Sequence, residues 1–251
     1  MRSDHFSQKF EQISLNLLDW LFPPACLGCG VEGLIICSDC FTKIELMPAN
    51  VCNLCGSYTS RRGFCPQCAR QKPLYSGFRA FAYYNGTIRK AIQQLKYHND
   101  LSIGRYLAGM LEITFARTGW EVDLVVPVPI GELKREQRGY NQAERLAKPL
   151  SRKLNLAYDP GALTRIHELS SQVGLDHYAR HENVRNAFIA SSNKVRDKKI
   201  LLVDDVFTSG ATMQAAAAEL IYASAEKVFC LALAKVKHES AEIDFSMPNN
   251  V

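Results

Sequence analysis

Two adjacent carboxylates, Asp204 and Asp205, and the turn of small residues after them form the most informative stretch of the sequence. Ionised carboxylates only accept hydrogen bonds, so they suit the hydroxyls of a sugar or the water molecules around Mg²⁺. The turn offers hydroxyls, successive backbone N–H groups and the N-terminus of a following helix, a combination that binds phosphate. The two parts together predict a site for a phosphorylated sugar. The residues of the turn are Thr208, Ser209, Gly210, Ala211 and Thr212.

Other interpretations of this stretch explain less. A P-loop is excluded because the pattern G-x-x-x-x-G-K-[ST] does not occur there. The remaining alternative is an Asp pair at the end of a strand, followed by an ordinary helix cap. That alternative does not explain why four apolar residues, two acids and a run of small residues follow one another in this order. We therefore expect a ligand site.

Eight of the nine cysteines form four C-x-x-C pairs, a ligand pattern typical of metal centres. Tetrahedral Zn²⁺ takes four thiolate ligands, so four pairs predict two structural zinc ions. Pairs that follow one another along the chain would share an ion in the simplest arrangement, although the spacing also permits an interleaved one. In the simplest arrangement the first ion is held by Cys26, Cys29, Cys37 and Cys40, and the second by Cys52, Cys55, Cys65 and Cys68.

The first and third pairs are about 26 residues apart, and each is followed by a glycine. This spacing predicts a duplicated ribbon in which the glycine permits a sharp turn that directs amides toward the sulfurs. Zinc is preferred to three alternatives. Disulfides need an oxidising compartment, a redox centre needs a single pair, and iron–sulfur ligand sets are rarely duplicated in this way. The ninth cysteine, Cys230, lies in an apolar run and is predicted to be an inert core residue.

The composition favours one or two domains without a membrane-spanning segment. Of the 251 residues, 47% are hydrophobic, which is enough for one sizeable core and a smaller module. No stretch reaches the roughly 20 apolar residues that cross a bilayer, and no apolar leader opens the chain, so we expect a cytoplasmic protein without membrane insertion. The formal charge of +5 falls to about +1 when two zinc tetrathiolates are counted, so overall basicity is a weak argument for nucleic-acid binding.

Apolar runs that alternate with helical patterns predict the elements that position the site. Strands are predicted at 78–84, 122–128, 199–203 and 227–234, and helices at 6–22, 87–97, 103–117, 142–154 and 211–223. This alternation favours an α/β fold with a mainly parallel sheet covered on both faces. Ligands of such sheets bind beyond the carboxyl ends of the strands, which is where Asp204 and Asp205 fall.

The stretch from Ile200 to Thr212 resembles the thirteen-residue PRPP (phosphoribosyl pyrophosphate) signature of type I phosphoribosyltransferases at every position. Together with the cysteine pairs and further short motifs, it follows the order seen in the ComF (ComFC/GntX-like) family over about residues 26–234. Each motif is weak alone, but the ordered set is specific. The further motifs are Leu95-Lys96-Tyr97, Val126-Pro127-Val128-Pro129, Arg138-Gly139-Tyr140-Asn141-Gln142, Arg165 with Gln172, and Arg180 with Asn183.

The resemblance implies a double zinc ribbon joined to a domain of type I phosphoribosyltransferase fold. By this resemblance, Asp204 and Asp205 would hold the ribose hydroxyls of PRPP, and the turn would hold its 5′-phosphate. Mg²⁺ would bind together with PRPP. The two carboxylates would then also be the catalytic candidates of a phosphoribosyl (glycosyl) transferase. Basic side chains should surround the departing pyrophosphate, and Lys96 and Arg138 are our candidates. Residues 165–180 would form the flap that closes such sites.

The order of the motifs also predicts the domains. A helix at 1–22 precedes the double zinc ribbon at 23–75, and the phosphoribosyltransferase-like domain at 76–240 precedes a tail at 241–251. The Pro23-Pro24 pair is expected to end the first helix.

Members of the ComF family are linked to natural transformation. The resemblance therefore implies a role in competence, in DNA uptake and the processing of internalised single-stranded DNA. The partners it suggests are PRPP, single-stranded DNA, and a competence helicase or another DNA-processing protein. Arg61 and Arg62, near Tyr58 and Phe64, are compatible with such DNA contacts. Two alternatives remain: a nucleobase phosphoribosyltransferase of salvage metabolism, and a non-catalytic adaptor that binds PRPP or DNA.

Overall fold

A parallel sheet forms the centre of the computed structural model, which describes residues 24–59, 63–97, 100–166 and 187–237. Its strands are β1 (Gly77–Tyr83), β2 (Leu124–Pro127), β3 (Ala157–Tyr158), β6 (Lys199–Phe207) and β7 (Lys227–Lys235); a separate antiparallel pair consists of β4 (Leu163–Arg165) and β5 (Phe188–Ala190). The order across the sheet is β1-β7-β6-β2-β3, and every neighbouring pair is parallel. The predicted mainly parallel sheet is confirmed.

Helices cover both faces of this sheet. They are α1 (Ser38–Thr42), α2 (Pro66–Arg70), α3 (Gly86–Tyr97), α4 (Leu101–Ala116), α5 (Glu132–Arg138), α6 (Gln142–Leu154), α7 (Ser192–Val195) and α8 (Ala211–Tyr222). Ile200 and Leu202 of β6 pack on the side of α8, while Leu201 and Val203 pack on the side of α3, α4 and α6. Because both faces are buried, β6 begins as a continuous apolar run. Among the described residues, no helix combines the length and apolar character that spanning a membrane requires.

The main difference from the predicted elements concerns β6. This strand was expected to end at Val203, but it continues to Phe207, because Val206 and Phe207 remain paired with β7 after β2 has ended. The predicted flap at 165–180 begins at Arg165, the last residue of β4. The predicted helix at 6–22, residues 61 and 62, and the tail at 241–251 lie outside the described residues, as do residues 167–180 of the flap and the motif residue Asn183.

The cysteine-rich segment contains two ribbons with the same backbone pattern, residues 24–44 (the first ribbon) and 51–70 (the second ribbon). In each, the N–H of the first cysteine donates to a carbonyl five residues later, and the following glycine donates back to that cysteine. The bonds are Cys26 to Val31, Gly30 to Cys26, Cys52 to Ser57 and Gly56 to Cys52. The glycines have φ angles of +82° and +68°, a conformation that favours glycine. The predicted duplication is confirmed.

The segment between the two ribbons covers the outer edge of β1. Leu46 forms an antiparallel bridge with Ala82, and the N–H of Met47 donates to Phe81. Further along, the N–H of Phe78 donates to the carbonyl of Asn53. This segment joins the two ribbons, which pack on opposite faces of the sheet.

Each ribbon packs on its own face. The first ribbon contacts α3, where the hydroxyl of Thr87 donates to the carbonyl of Cys40 (3.4 Å) and Lys90 donates to the carbonyl of Gly28 (2.7 Å). The second ribbon shares a core with the α8 face, in which Cys52 and Leu54 are buried together with Phe78. The ribbons are therefore part of the packing of the sheet.

Candidate functional site

The site lies between β6 and β2, where the crossover connections of the sheet run in opposite directions. From β6 the chain crosses through α8 to β7 on one side; from β2 it crosses through α5 and α6 to β3 on the other. The carboxyl ends of strands at such a switch point form the crevice in which α/β proteins bind ligands. Pairing of β2 with β6 ends at Pro127 and Val203, so the next residue, Asp204, enters this crevice.

Both carboxylates are buried there, and a cation faces one of them. Lys96 Nζ, from the last turn of α3, lies 2.8 Å from Oδ2 of Asp205. The backbone N–H of Asp205 donates to Oδ1 of Asp204 at 2.8 Å. Burial, and then the adjacent charge of Asp205, raise the pKa of Asp204 well above its usual value. A bound cation or hydroxyl donor would therefore stabilise the ionised form of Asp204.

The Arg138-to-Gln142 motif docks on the end of α3, beside Lys96. Gly139 ends α5 with a φ of +75°, which turns the chain sharply. The Tyr140 hydroxyl then donates to the carbonyl of Leu95 at 2.9 Å. The guanidinium of Arg138 lies 5.8 Å from the centre of the Tyr97 ring. These contacts place Arg138 next to the segment that carries Lys96.

Asn141 is a positioning residue whose role sequence reasoning missed. Its side chain is almost completely buried; Nδ2 donates to the carbonyl of Val128, and Oδ1 accepts from the N–H of Ala143, both at 2.9 Å. It therefore fastens the start of α6 to the segment that leaves β2. The signal was present in the sequence, since Asn directly before a helical pattern is a strong N-cap residue.

The turn after β6 has the form of a phosphate cradle. Gly210 precedes α8 with a φ of +82°, and the first turn of that helix leaves N–H groups without intrahelical partners. Thr208 and Ser209 are exposed, and Oγ of Ser209 accepts from the N–H of Ala211 at 3.4 Å. Thr212 lies in the first turn and is half-buried. An anion could approach this turn from solvent and meet hydroxyls and amides together.

The sequence-predicted site residues thus lie around the carboxyl end of the central strand β6. Lys96 contacts Asp205, Arg138 lies against the neighbouring Tyr97, and the turn continues from the same strand. Arg135, another basic residue of α5, instead pairs with Glu144.

The eight predicted zinc ligands form two separate clusters. Within each cluster the four Sγ atoms all lie within 4.8 Å of one another, and the clusters follow the sequential pairing of the cysteines. Cys29 and Cys37 have sulfurs 3.7 Å apart, and Cys55 and Cys65 have sulfurs 3.6 Å apart. Thiolates about 2.3 Å from a tetrahedral Zn²⁺ are separated by about 3.8 Å. Both clusters therefore fit a structural zinc ion.

Backbone amides favour a thiolate in each cluster. Burial acts to raise the pKa of Cys26, but backbone N–H groups, with that of Cys37 first among them, outweigh burial and lower this pKa to about 6. Burial and backbone N–H groups oppose each other in the same way at Cys52, where the pKa falls to about 7. The turns thus direct amides toward sulfur, as predicted, and prepare an anionic ligand for the metal.

Comparisons with known proteins agree with this architecture. Residues 17–69 match the model of a double zinc ribbon domain, and residues 137–249 match that of a phosphoribosyl transferase domain. Competence protein F of Haemophilus influenzae is 31% identical over 188 residues, which are 71% of this chain and 80% of that protein. DNA utilization protein YhgH of Escherichia coli K12 is 31% identical over 204 residues, 78% of this chain and 89% of that one.

A more distant relative and a solved structure are also similar to parts of this chain. Competence protein ComFC of Bacillus subtilis is 27% identical over 190 residues, 72% of this chain and 76% of that one. The structure of glutamine phosphoribosylpyrophosphate amidotransferase from B. subtilis has a TM-score of 0.40 at 19% identity, over 56% of this chain and 30% of that one. Two family models match in the expected order, and two relatives above 30% identity extend over most of the chain. The chain therefore belongs to the ComF family, in which a double zinc ribbon is joined to a phosphoribosyltransferase domain of type I fold.

Proposed function

We propose that this protein binds PRPP together with Mg²⁺ at Asp204, Asp205 and the turn from Thr208 to Thr212, and that it acts in competence, in the processing of internalised single-stranded DNA. The observation that carries the proposal is a buried carboxylate pair at the switch point of the sheet, paired with Lys96 and followed directly by a glycine-containing phosphate cradle; Arg138 lies beside Tyr97, the residue after Lys96. The names of the relatives, competence protein and DNA utilization protein, support the biological role.

Each group in the site has a role in this proposal. Asp204 and Asp205 accept hydrogen bonds from the 2′- and 3′-hydroxyls of the ribose, and the turn donates to the 5′-phosphate. Lys96 and Arg138 stabilise the negative charge on the pyrophosphate group. Bound Mg²⁺ would neutralise part of that charge, and Asp204 and Asp205 would hold it through its water ligands.

If the protein transfers the phosphoribosyl group, the bond between C1 and pyrophosphate breaks while an acceptor attacks C1. The chain then contributes position and charge: the carboxylates fix the ribose, the turn fixes its 5′ end, and the basic side chains face the leaving group. In the structure, Lys96 forms an ion pair with Asp205. If the pyrophosphate group of a ligand binds Lys96 instead, Asp205 needs other hydrogen-bond donors. The ribose hydroxyls are such donors.

Calorimetric titration tests the ligand directly. We expect PRPP to bind with one site per chain in the presence of Mg²⁺, and more weakly without it, because uncompensated pyrophosphate charge then faces Asp204 and Asp205. Ribose 5-phosphate and pyrophosphate should each compete. A titration in which neither PRPP nor the two competing ligands bind would contradict the proposal. Release of pyrophosphate with one base from a nucleobase panel would instead assign the protein to salvage.

Aromatic side chains of the second ribbon support contact with DNA. Tyr58 and Phe64 are exposed, and Lys72 Nζ lies 5.3 Å from the centre of the Phe64 ring. Exposed rings beside cations bind single strands by stacking and by phosphate contact.

Alanine at both Tyr58 and Phe64 should weaken binding of a labelled oligothymidylate by about tenfold or more, since each stacked base contributes about 1–3 kcal/mol. Fluorescence anisotropy at several salt concentrations measures this change. Tyr222→Ala on α8 removes an exposed ring outside the second ribbon and serves as the control. Equal loss in the control, or none in the double variant, would exclude the ribbon as the DNA-binding surface.

A further inference from the structure

The turn that follows Cys55 in the second ribbon packs directly on the sheet. A β-carbon placed on Gly56 would lie 2.9 Å from Cε1 of Phe78 and 3.3 Å from Cδ of Lys235. Such separations are shorter than van der Waals contact, so the bare backbone of this turn touches both side chains. The corresponding β-carbon on Gly30, 26 residues earlier in the first ribbon, would meet nothing within 4 Å. The two ribbons therefore differ at an otherwise equivalent position.

Phe78 in turn supports Phe207, the residue directly before the phosphate cradle. Their ring centres are 4.0 Å apart, and both rings are buried. On its other side the Phe207 ring packs against the backbone of the cradle: a β-carbon on Gly210 would lie 2.4 Å from Cζ of Phe207. The stack Gly56–Phe78–Phe207–Gly210 thus connects the second ribbon to the cradle without a gap.

Lys235 completes this support. It pairs in register with Phe207, is buried, and has its Nζ 5.3 Å from the centre of the Phe207 ring. Its Cδ also lies against the Gly56 turn, 3.3 Å from where a β-carbon on Gly56 would be. Lys235 therefore bridges the turn of the second ribbon and the ring beneath the cradle.

We infer that Phe207 is a positioning residue for the phosphate cradle, and that the second zinc ribbon holds Phe207 in place through Phe78 and Lys235. The first ribbon has no part in this function, since its described contacts lie on α3, on the opposite face of the sheet. The inference rests on the proposed binding of PRPP for its functional meaning. Its structural content, that the second ribbon orders the cradle, does not.

A matched pair of glycine variants separates the two ribbons. Gly56→Ala and Gly30→Ala both place alanine at a positive φ and both keep all eight cysteines, so they share the backbone strain. Only Gly56→Ala also pushes against Phe78 and Lys235. Phe207→Leu removes the supporting ring without altering a ribbon, and it keeps the test decisive if Gly56→Ala fails to fold.

Amide hydrogen exchange of the peptide that contains residues 207–213, in protein without PRPP and with two zinc ions per chain, is the first measurement. We expect Gly56→Ala and Phe207→Leu to exchange about tenfold faster there than wild type, with exchange in α4 unchanged, whereas Gly30→Ala matches wild type. Calorimetry with PRPP and Mg²⁺ should show affinity lowered by about tenfold in the same two variants.

The outcomes distinguish the two hypotheses. Unchanged exchange at 207–213 in both Gly56→Ala and Phe207→Leu, or equal acceleration in Gly30→Ala, would overturn the inference. If wild type binds no PRPP but exchange still follows the expected pattern, the proposed function fails and the support of the cradle by the second ribbon stands.

Discussion

Asp204→Asn will weaken the binding of PRPP with Mg²⁺ by about 100-fold and will make the folded protein more stable at neutral pH. Binding is lost because an amide carries no charge for Mg²⁺ and forms weaker hydrogen bonds with hydroxyls; a bond to a charged group contributes about 1.5–3 kcal/mol. Stability rises because the carboxylate is buried beside Asp205, so its ionised form is unfavourable in the fold. Opposite signs for binding and stability are typical of residues selected for function.

The pH dependence of stability follows from the same carboxylate. Its pKa is higher in the folded chain than in the unfolded chain, so the folded state holds this proton more tightly. The corresponding stabilisation is fully present below the unfolded pKa of about 3.9 and is lost as pH rises through the folded pKa. Urea denaturation of wild type and Asp204→Asn across this range should therefore diverge as pH rises, with the variant above wild type.

Glu121→Gln is the matched control, because Glu121 is an exposed carboxylate paired with Lys199 at the other end of β6. It should change neither PRPP affinity nor the number of zinc ions per chain. Unaltered PRPP affinity in Asp204→Asn would show that the ligand binds elsewhere.

Cys52→Ser will reduce the zinc content from two ions to one per chain and lower the free energy of unfolding by about 5 kcal/mol or more. The energy of metal binding is folding energy in small zinc modules, where it reaches about 10–16 kcal/mol. Cys52 is fully buried and belongs to the same core as Phe78 and Leu54, so local unfolding of the second ribbon also exposes apolar surface of the sheet. Elemental analysis and urea denaturation measure the two effects.

Cys230→Ala tests whether the loss is due to the metal. This cysteine is buried in β7 and belongs to neither cluster, so the variant should retain two zinc ions and lose much less stability. Retention of both ions by Cys52→Ser would contradict the assignment of that cluster.

The zinc module was predictable almost completely, because its chemistry is local in sequence. Ligand type, spacing and the two glycines define each knuckle, and even the repeat of about 26 residues returns as equivalent hydrogen bonds. The candidate site at Asp204, Asp205 and the turn could also be predicted, since a strand, its carboxyl end and the next helix follow one another directly in the chain. Physical properties of neighbouring residues sufficed in both cases.

Contacts between segments that are distant in the sequence were harder to predict. Nothing in the sequence near Lys96 indicates that Asp205 is its partner, because that contact depends on how α3 packs beside β6. The role of Phe207 was missed for a similar reason: an aromatic residue near the end of a strand is usually core, and its position beneath Gly210 is visible only in three dimensions. Arg138 was identified through its neighbour Gly139, a local signal, but its contact with Tyr97 was not.

The segment that joins the ribbons along β1 has a consequence for the life of the protein in the cell. An uncovered edge strand offers unpaired backbone groups to other chains, and apolar edge strands nucleate aggregation. Strand β1 has the largely apolar sequence Gly-Phe-Arg-Ala-Phe-Ala-Tyr, so unfolding of the segment that covers it would expose such an edge strand. Loss of zinc should therefore lead to precipitation or proteolysis of the whole chain, and should not leave behind a stable phosphoribosyltransferase-fold domain.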